Sequence, residues 1–159
     1  MPLSLTKRSL TKRSLTQPLA LGQRGERAAA RFLKQHRYTI LAGGWRTRYS
    51  EIDLIAVDHH GVGWFSRLRN KPYQRTLVFV EVKTRCSLQA GHPAEAVDAN
   101  KQRRLSSAAL GFLKANQLLE YPARFDVIAI VWPRGANRAT SLEHFTNAFQ
   151  PPDVGQFYV

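Results

Sequence analysis

The feature that most constrains the fold is a pair of apolar segments with a helical pattern between them. Residues 77–83 place valine at every second position, and residues 125–132 form an almost continuous apolar run. Between them, apolar side chains recur at three-to-four spacing from about residue 94 to residue 116. A continuous apolar run is typical of a strand buried on both faces, and a crossover helix joins parallel strands. The chain is therefore predicted to contain a parallel strand, helix, strand unit.

Weaker patterns on either side of this unit complete the predicted fold. Apolar residues at helical spacing predict a helix over residues 21–35, and residues 51–57 predict a strand. Further short strands are expected at residues 39–41 and 142–145, with a glycine turn at 43–44. The order of these elements predicts an α/β fold in which helices flank a mixed central sheet, in a single domain over residues 19–150.

Charge indicates the class of partner. The 159 residues include 24 Lys and Arg against 11 Asp and Glu, so the formal net charge is +13. Such an imbalance favours a polyanion, either nucleic acid or an anionic membrane surface. No apolar run approaches the roughly 20 residues that cross a bilayer, and we expect no membrane partner.

Cys86 is the single cysteine, which excludes an internal disulfide and a cysteine-rich zinc site. We expect a soluble, cytoplasmic protein.

Three segments lie outside the predicted core. Residues 1–18 repeat the motif Ser-Leu-Thr-Lys-Arg without an apolar helical stripe, which predicts a flexible basic N-terminal arm. The alternatives are a targeting segment and a segment that becomes ordered on binding. Residues 59–76 form a basic, aromatic insertion that is long for a hairpin loop, and such loops are often functional. Residues 151–159 are predicted to be a C-terminal tail.

Acidic residues and a lysine are expected to converge from two strands. In the first strand, Glu51 and Asp53 should share one face, while Ile52, Leu54 and Ala56 should share the other. In the second strand, 28 residues after Asp53, the same alternation places Glu81 and Lys83 together. Two carboxylates can hold a divalent cation while an ammonium lies beside the attacking water. The pattern therefore indicates metal-dependent phosphodiester hydrolysis, against the ordinary alternative of a solvated strand with a cross-strand ion pair.

Four further residues each admit two interpretations. Glu26 either favours the positive end of its helix or positions a metal or a water. Glu51 either faces solvent, where it pairs with an arginine, or takes a direct role. Lys101 falls on the apolar line of its helix, so it is either a lysine that extends along the core to solvent or a phosphate contact. Asp126 is expected to be structural, paired with Arg124 or with a backbone donor.

The ordered motifs of residues 20–150 resemble those of the YraN-type family of uncharacterised endonuclease-like bacterial proteins. The resemblance rests on segments 25–29, 50–55, 79–85, 101–105, 124–127 and 147–149. That family is similar to archaeal Holliday junction resolvases and to the PD-(D/E)XK superfamily. The resemblance implies a restriction-endonuclease-like fold, magnesium as the usual cofactor, and catalytic positions at Asp53, Glu81 and Lys83. Glu26 matches an acidic residue on the family's first helix, whereas Ser50 replaces a usual glycine and the 59–76 insertion is longer.

These observations predict a magnesium-dependent endonuclease that acts on DNA, with branched or junction DNA among its substrates. Asp53, Glu81 and the Val82 carbonyl are the expected metal ligands, for magnesium or manganese, and Lys83 is expected to orient the attacking water. The expected phosphate contacts are Arg46, Arg48, Arg67, Arg69, Lys71, Arg75, Arg85, Lys101, Arg103 and Arg104. Two alternatives stay open: a nucleic-acid-binding module that does not cleave, and a repair or replication adaptor. The sequence also leaves a homodimer open.

Overall fold

Five strands form one mixed sheet in the computed structural model, which describes residues 19–48, 50–60, 75–87 and 97–151. The elements are α1 (Leu21–Gln35), β1 (Tyr38–Arg46), β2 (Glu51–Asp58), β3 (Thr76–Arg85), α2 (Ala99–Ala115), β4 (Ala123–Val131) and β5 (Ser141–Phe149). The strand order is β1-β2-β3-β4-β5, in which β3 and β4 are parallel and the other neighbours are antiparallel. The predicted single α/β domain, consistent with a restriction-endonuclease-like fold, is confirmed.

The central strand, helix, strand unit also matches the prediction. β3 pairs with β4 in parallel from Leu77 opposite Ala123 to Arg85 opposite Val131, and α2 lies between them in the chain. The predicted start of this helix near residue 94 is wrong, because the helix begins at Ala99. Asp98 is the N-cap residue of this helix. Its carboxylate accepts a hydrogen bond from the backbone amide of Lys101 in the first turn. Residues 94–96 lie outside the described residues.

β1 is longer than the sequence indicated. The prediction of a short strand at 39–41 followed by a glycine turn at 43–44 is wrong, since β1 continues to Arg46. Gly43 pairs with Leu54 and Trp45 pairs with Ile52, so the glycines lie within the β1–β2 ladder. Gly44 has a φ of 63°, which glycine adopts without strain, and this permits a local change of direction without a turn.

The sheet carries an apolar cluster on each face. On one face, Ala29 and Leu33 of α1 pack over Val78 and Val80 of β3. On the other face, Leu105 and Phe112 of α2 pack over Phe79 of β3, with the Phe79 and Phe112 rings edge to face at 6.0 Å between centroids. β3 is therefore buried on both sides, which explains its apolar composition.

A polar network on the α1 face of the sheet links β4 to β2 and to β5. Arg124 Nε donates to Asp126 Oδ1 at 2.9 Å, and Arg124 Nη1 donates to Asp58 Oδ2 at 2.8 Å. The backbone amide of Asn147 donates to Asp126 Oδ1 at 2.9 Å, and His144 Nε2 lies 2.9 Å from Asp126 Oδ2. Burial alone would raise the pKa of Asp126, but the contacts with His144 and Arg124 hold that pKa below its usual value. Asp126 is thus a structural residue, as predicted, with both oxygens satisfied.

Close packing places the start of α1 against the end of β3. A Cβ atom added to Gly25 would lie 1.8 Å from Thr84 Oγ1, so a larger residue fits there only if Thr84 or the backbone shifts. This contact brings the next residue, Glu26, towards the segment of β3 that carries Glu81. Neither described helix has both the length and the apolar character to span a membrane.

Candidate functional site

β2 separates from β3 at Asp53. The β2–β3 ladder ends at the pair Leu54 and Val80, and beyond it the Val82 amide donates to Asp53 Oδ2 at 2.7 Å. Leu54 packs with the cluster under α1, whereas Ile52 packs with the cluster under α2. The prediction that Ile52 and Leu54 share a face is therefore wrong. The alternation breaks at Asp53, across from Gly44 with its positive φ, and the Asp53 carboxylate points towards β3 instead of standing on one face.

Glu81 of β3 is close enough for its charge to act on Asp53, and only 5% of it is exposed. Its Oε1 atom is 2.7 Å from Lys83 Nζ and 3.2 Å from Lys101 Nζ. Its Oε2 atom is buried and has no hydrogen-bond partner among the described residues. A buried acceptor without a partner is unfavourable by about 1–3 kcal/mol. One oxygen of the Glu81 carboxylate thus contacts two ammonium groups, and the other has no partner among the described residues.

The two carboxylates of the site repel each other. Burial raises the pKa of Asp53 to about 7, and the negative charge of Glu81 adds to the increase, while the hydrogen bond from the Val82 amide opposes it. A cation placed between Asp53 and Glu81 would favour the ionised form of both. The electrostatics of the site therefore suit a positively charged ligand.

The oxygen atoms present fit a hard divalent cation. In a strand, the amide and carbonyl of one residue leave the backbone on the same side, so the Val82 carbonyl faces the Asp53 side as its amide does. Among the described residues, no group of three or more His, Cys, Asp or Glu side chains could hold a metal. Two carboxylates with a carbonyl and several waters are nevertheless the kind of site that Mg²⁺ uses, because it keeps much of its hydration.

Glu26 borders this group from α1 without a direct contact that fixes a role. Burial raises the pKa of Glu26, the charges of Glu51 and Glu81 raise it further, and Arg46 opposes the shift. Arg46 Nε is itself 2.9 Å from Glu51 Oε1, in a pair with both side chains largely exposed. Glu51 therefore pairs with an arginine, which is the more ordinary of its two predicted interpretations. Glu26 is close enough to Glu81 for the negative charge of Glu81 to raise its pKa.

The predicted phosphate contacts fall into three groups. Arg46, Arg48, Arg75, Arg103 and Arg104 are exposed and Arg85 is half-buried, whereas Lys101 reaches Glu81 inside the site. Arg67, Arg69 and Lys71 lie outside the described residues.

Sequence reasoning missed three exposed cations on α1, namely Arg27, Arg31 and Lys34. Their spacing of four and three residues was the signal, since it puts them on one face, opposite the buried Ala29 and Leu33.

Comparisons with known proteins agree on one family. The family profile described as "Uncharacterised protein family UPF0102" matches residues 25–130, a range that includes Glu26, Asp53, Glu81, Lys83 and Lys101. A UPF0102 protein of Rhodopirellula baltica is 45% identical over 138 residues, which cover 87% of this chain and 75% of that protein. A UPF0102 protein of Chlorobium phaeobacteroides is 43% identical, with 83% and 95% covered, and one of Geobacter metallireducens is 40% identical, with 82% and 93% covered.

Proposed function

The chain belongs to the uncharacterised protein family UPF0102, and we propose that it is a metal-dependent nuclease that hydrolyses phosphodiester bonds in DNA, with branched or junction DNA in its substrate class. The observation that carries this proposal is the open, buried Oε2 atom of Glu81 beside Asp53. A cation at this position would satisfy the acceptor and favour the ionised form of Asp53.

The positive charge of the whole chain makes the pair Asp53 and Glu81 an argument for hydrolysis over binding alone. A protein with a net charge of +13 attracts phosphates, yet it places the half-buried Asp53 beside the buried Glu81, which contacts two lysines. A surface that only binds nucleic acid gains nothing from carboxylates that repel phosphate. A cation held between those carboxylates turns the same place into a site for phosphate, which supports hydrolysis over binding alone.

Each residue of the site has a distinct part in the proposed reaction. Asp53, Glu81 and the Val82 carbonyl would hold magnesium or manganese. When bound, such an ion polarises the scissile phosphate and lowers the pKa of a coordinated water. The Val82 amide fixes the Asp53 carboxylate through its 2.7 Å hydrogen bond. The Lys83 ammonium orients the attacking water and offers positive charge to the transition state.

Residues around the site would hold the rest of the substrate. Glu26, on the border of the acid pair, would position a water. The exposed arginines at 46, 48, 75, 103 and 104 would contact backbone phosphates, and so would the cations of the 59–76 insertion. Such contacts release counterions, so the affinity for DNA should fall as salt rises.

The proposal is tested by a cleavage assay on four labelled DNAs, namely duplex, single strand, flap and four-way junction, in Mg²⁺, Mn²⁺ or EDTA. The wild type should cleave at least one of them with metal and none with EDTA. Lys83→Ala should lower the rate about 100-fold or more, as loss of a transition-state donor does. Lys114→Ala, at the exposed far end of α2, is the matched control and should cleave like the wild type. Absence of cleavage of all four DNAs with either metal would refute the proposal.

The exposed arginines favour a second candidate, a DNA-binding module that does not cleave. This candidate predicts binding of the same DNAs with a steep salt dependence, equal in Mg²⁺ and in EDTA. Binding that strengthens when metal is added would count against it.

A further inference from the structure

Lys101 occupies a helix position where a lysine is unfavourable. Asp98 caps α2, and Lys101 is the third helical residue, whose amide donates to Asp98 Oδ1 at 2.7 Å. The third helical position suits a carboxylate or an amide that bonds back to the cap residue, because the helix N-terminus carries partial positive charge. A lysine there opposes the helix dipole. The stability of α2 therefore gives no reason for this residue.

The ammonium of Lys101 is instead placed in the acid cluster. Its Nζ atom lies 3.2 Å from Glu81 Oε1, the same oxygen that Lys83 Nζ contacts at 2.7 Å. The Lys101 side chain is 25% exposed and the Glu81 side chain is 5% exposed, so the lysine is nearer to solvent than the carboxylate that it contacts.

The pattern of contacts on Glu81 is not that of a structural ion pair. Asp126 shows the structural arrangement in the same protein: Arg124 and the Asn147 amide contact one oxygen, and Arg124 and His144 contact the other. Glu81 has two ammonium groups on one oxygen and no partner among the described residues on the other. The second ammonium on Oε1 is therefore more than the neutralisation of Glu81 alone requires, and its charge also acts on Asp53.

We propose that Lys101 is a phosphate-binding residue of the site, which rests on Glu81 in the metal-free protein and contacts a non-bridging phosphate oxygen of DNA when a divalent cation occupies the acid pair. The proposal rests on the proposed function. A divalent cation at Glu81 Oε2 repels both ammonium groups. Lys83 is fixed beside Glu81 by the strand that both share, whereas Lys101 comes from another element and makes the longer contact.

The proposal is tested on the full-length chain with Lys101→Met, which keeps the apolar stem and removes the charge. Removal of the positive charge that contacts Glu81 should tighten Mn²⁺ binding on the order of tenfold, measured by calorimetry without DNA. The same variant should bind duplex DNA in Ca²⁺ more weakly, with the log–log salt slope smaller by about 0.9, the loss of one phosphate contact.

Two further variants separate a phosphate contact from a structural role. Lys101→Arg should keep the salt slope of the wild type, because it keeps the charge. Lys114→Met, on the last turn of the same helix, should change neither quantity. If Lys101→Met leaves either the Mn²⁺ affinity or the salt slope unchanged while the wild type binds Mn²⁺, the inference about Lys101 is overturned and the proposed function stands. If the wild type binds no Mn²⁺, the proposed function falls, and this inference falls with it.

Discussion

The surroundings of Asp53 shift its pKa strongly upwards. Burial and the charge of Glu81 raise its pKa from 3.8 to about 7, so the folded chain favours the protonated form. In the unfolded chain the pKa returns to its ordinary value. Between these two values the folded state binds more protons than the unfolded state, and stability therefore decreases as pH rises from about 4 to about 7.

We predict that Asp53→Asn stabilises the metal-free protein at pH 8 and has little effect near pH 4. The neutral amide removes a charge that the fold disfavours, and the gain at pH 8 should be about 2–4 kcal/mol, since one pKa unit corresponds to about 1.4 kcal/mol. Urea denaturation in EDTA at both pH values measures the difference. A difference between variant and wild type that is the same at pH 4 and pH 8 would contradict the assigned pKa.

Single residues also show how far the site could be predicted from sequence. Strand alternation was sufficient to place Glu81 beside Lys83, because β3 is regular. It was not sufficient for Asp53, because the positive φ of Gly44 accompanies a break in the alternation that no period of two describes. Helical spacing put Lys101 on the inward side of α2 but could not show that its ammonium ends at Glu81.

At the level of elements, the position of α1 depends on one glycine. Gly25 lets the helix approach Thr84 of β3, and this approach carries Glu26 to the edge of the acid pair. The sequence predicted α1 from its apolar spacing, yet the closeness of its contact with β3 could not be predicted, because it depends on two residues that are 59 positions apart.

We predict that Gly25→Ala destabilises the protein by about 1–3 kcal/mol, the usual range for overpacking, because the new methyl group would meet Thr84 Oγ1. Gly22→Ala on the same helix is the matched control. Its methyl group would meet nothing within 4 Å, and alanine favours a helix, so this variant should stabilise by about 0.5–1 kcal/mol. Denaturation curves at one pH measure both. Equal effects of the two substitutions would show that α1 does not depend on the Gly25 contact.

At the level of the whole molecule, the order of elements was more predictable than their ends. The almost continuous apolar run at 125–132, which follows a strand and a helical pattern, predicted the parallel pair β3 and β4. The mixed sheet followed from that pair. The start of α2 was predicted several residues too early, because the apolar spacing begins before Asp98, which is the residue that caps the helix. The basic arm at 1–18, most of the insertion at 59–76 and the tail at 152–159 lie outside the described residues, and their roles stay predictions.

The net charge of +13 predicted a polyanionic partner but not where it binds. The exposed cations include Arg27, Arg31 and Lys34 on α1, Arg46 beside Glu51, and Arg103 and Arg104 on α2. If many cations share the proposed binding of DNA, loss of one acid from the pair Asp53 and Glu81 should leave most of the affinity intact. Binding and cleavage should therefore be separable by a single substitution.

The central claim is most directly tested by Glu81→Gln, with cleavage and binding measured on the DNA that the wild type cuts best. The amide keeps the size of the side chain but is a poor metal ligand, so we predict a loss of cleavage of about 100-fold or more, with DNA affinity within about threefold of the wild type. Cleavage by Glu81→Gln at the rate of the wild type in Mg²⁺ would contradict a metal site at Asp53 and Glu81.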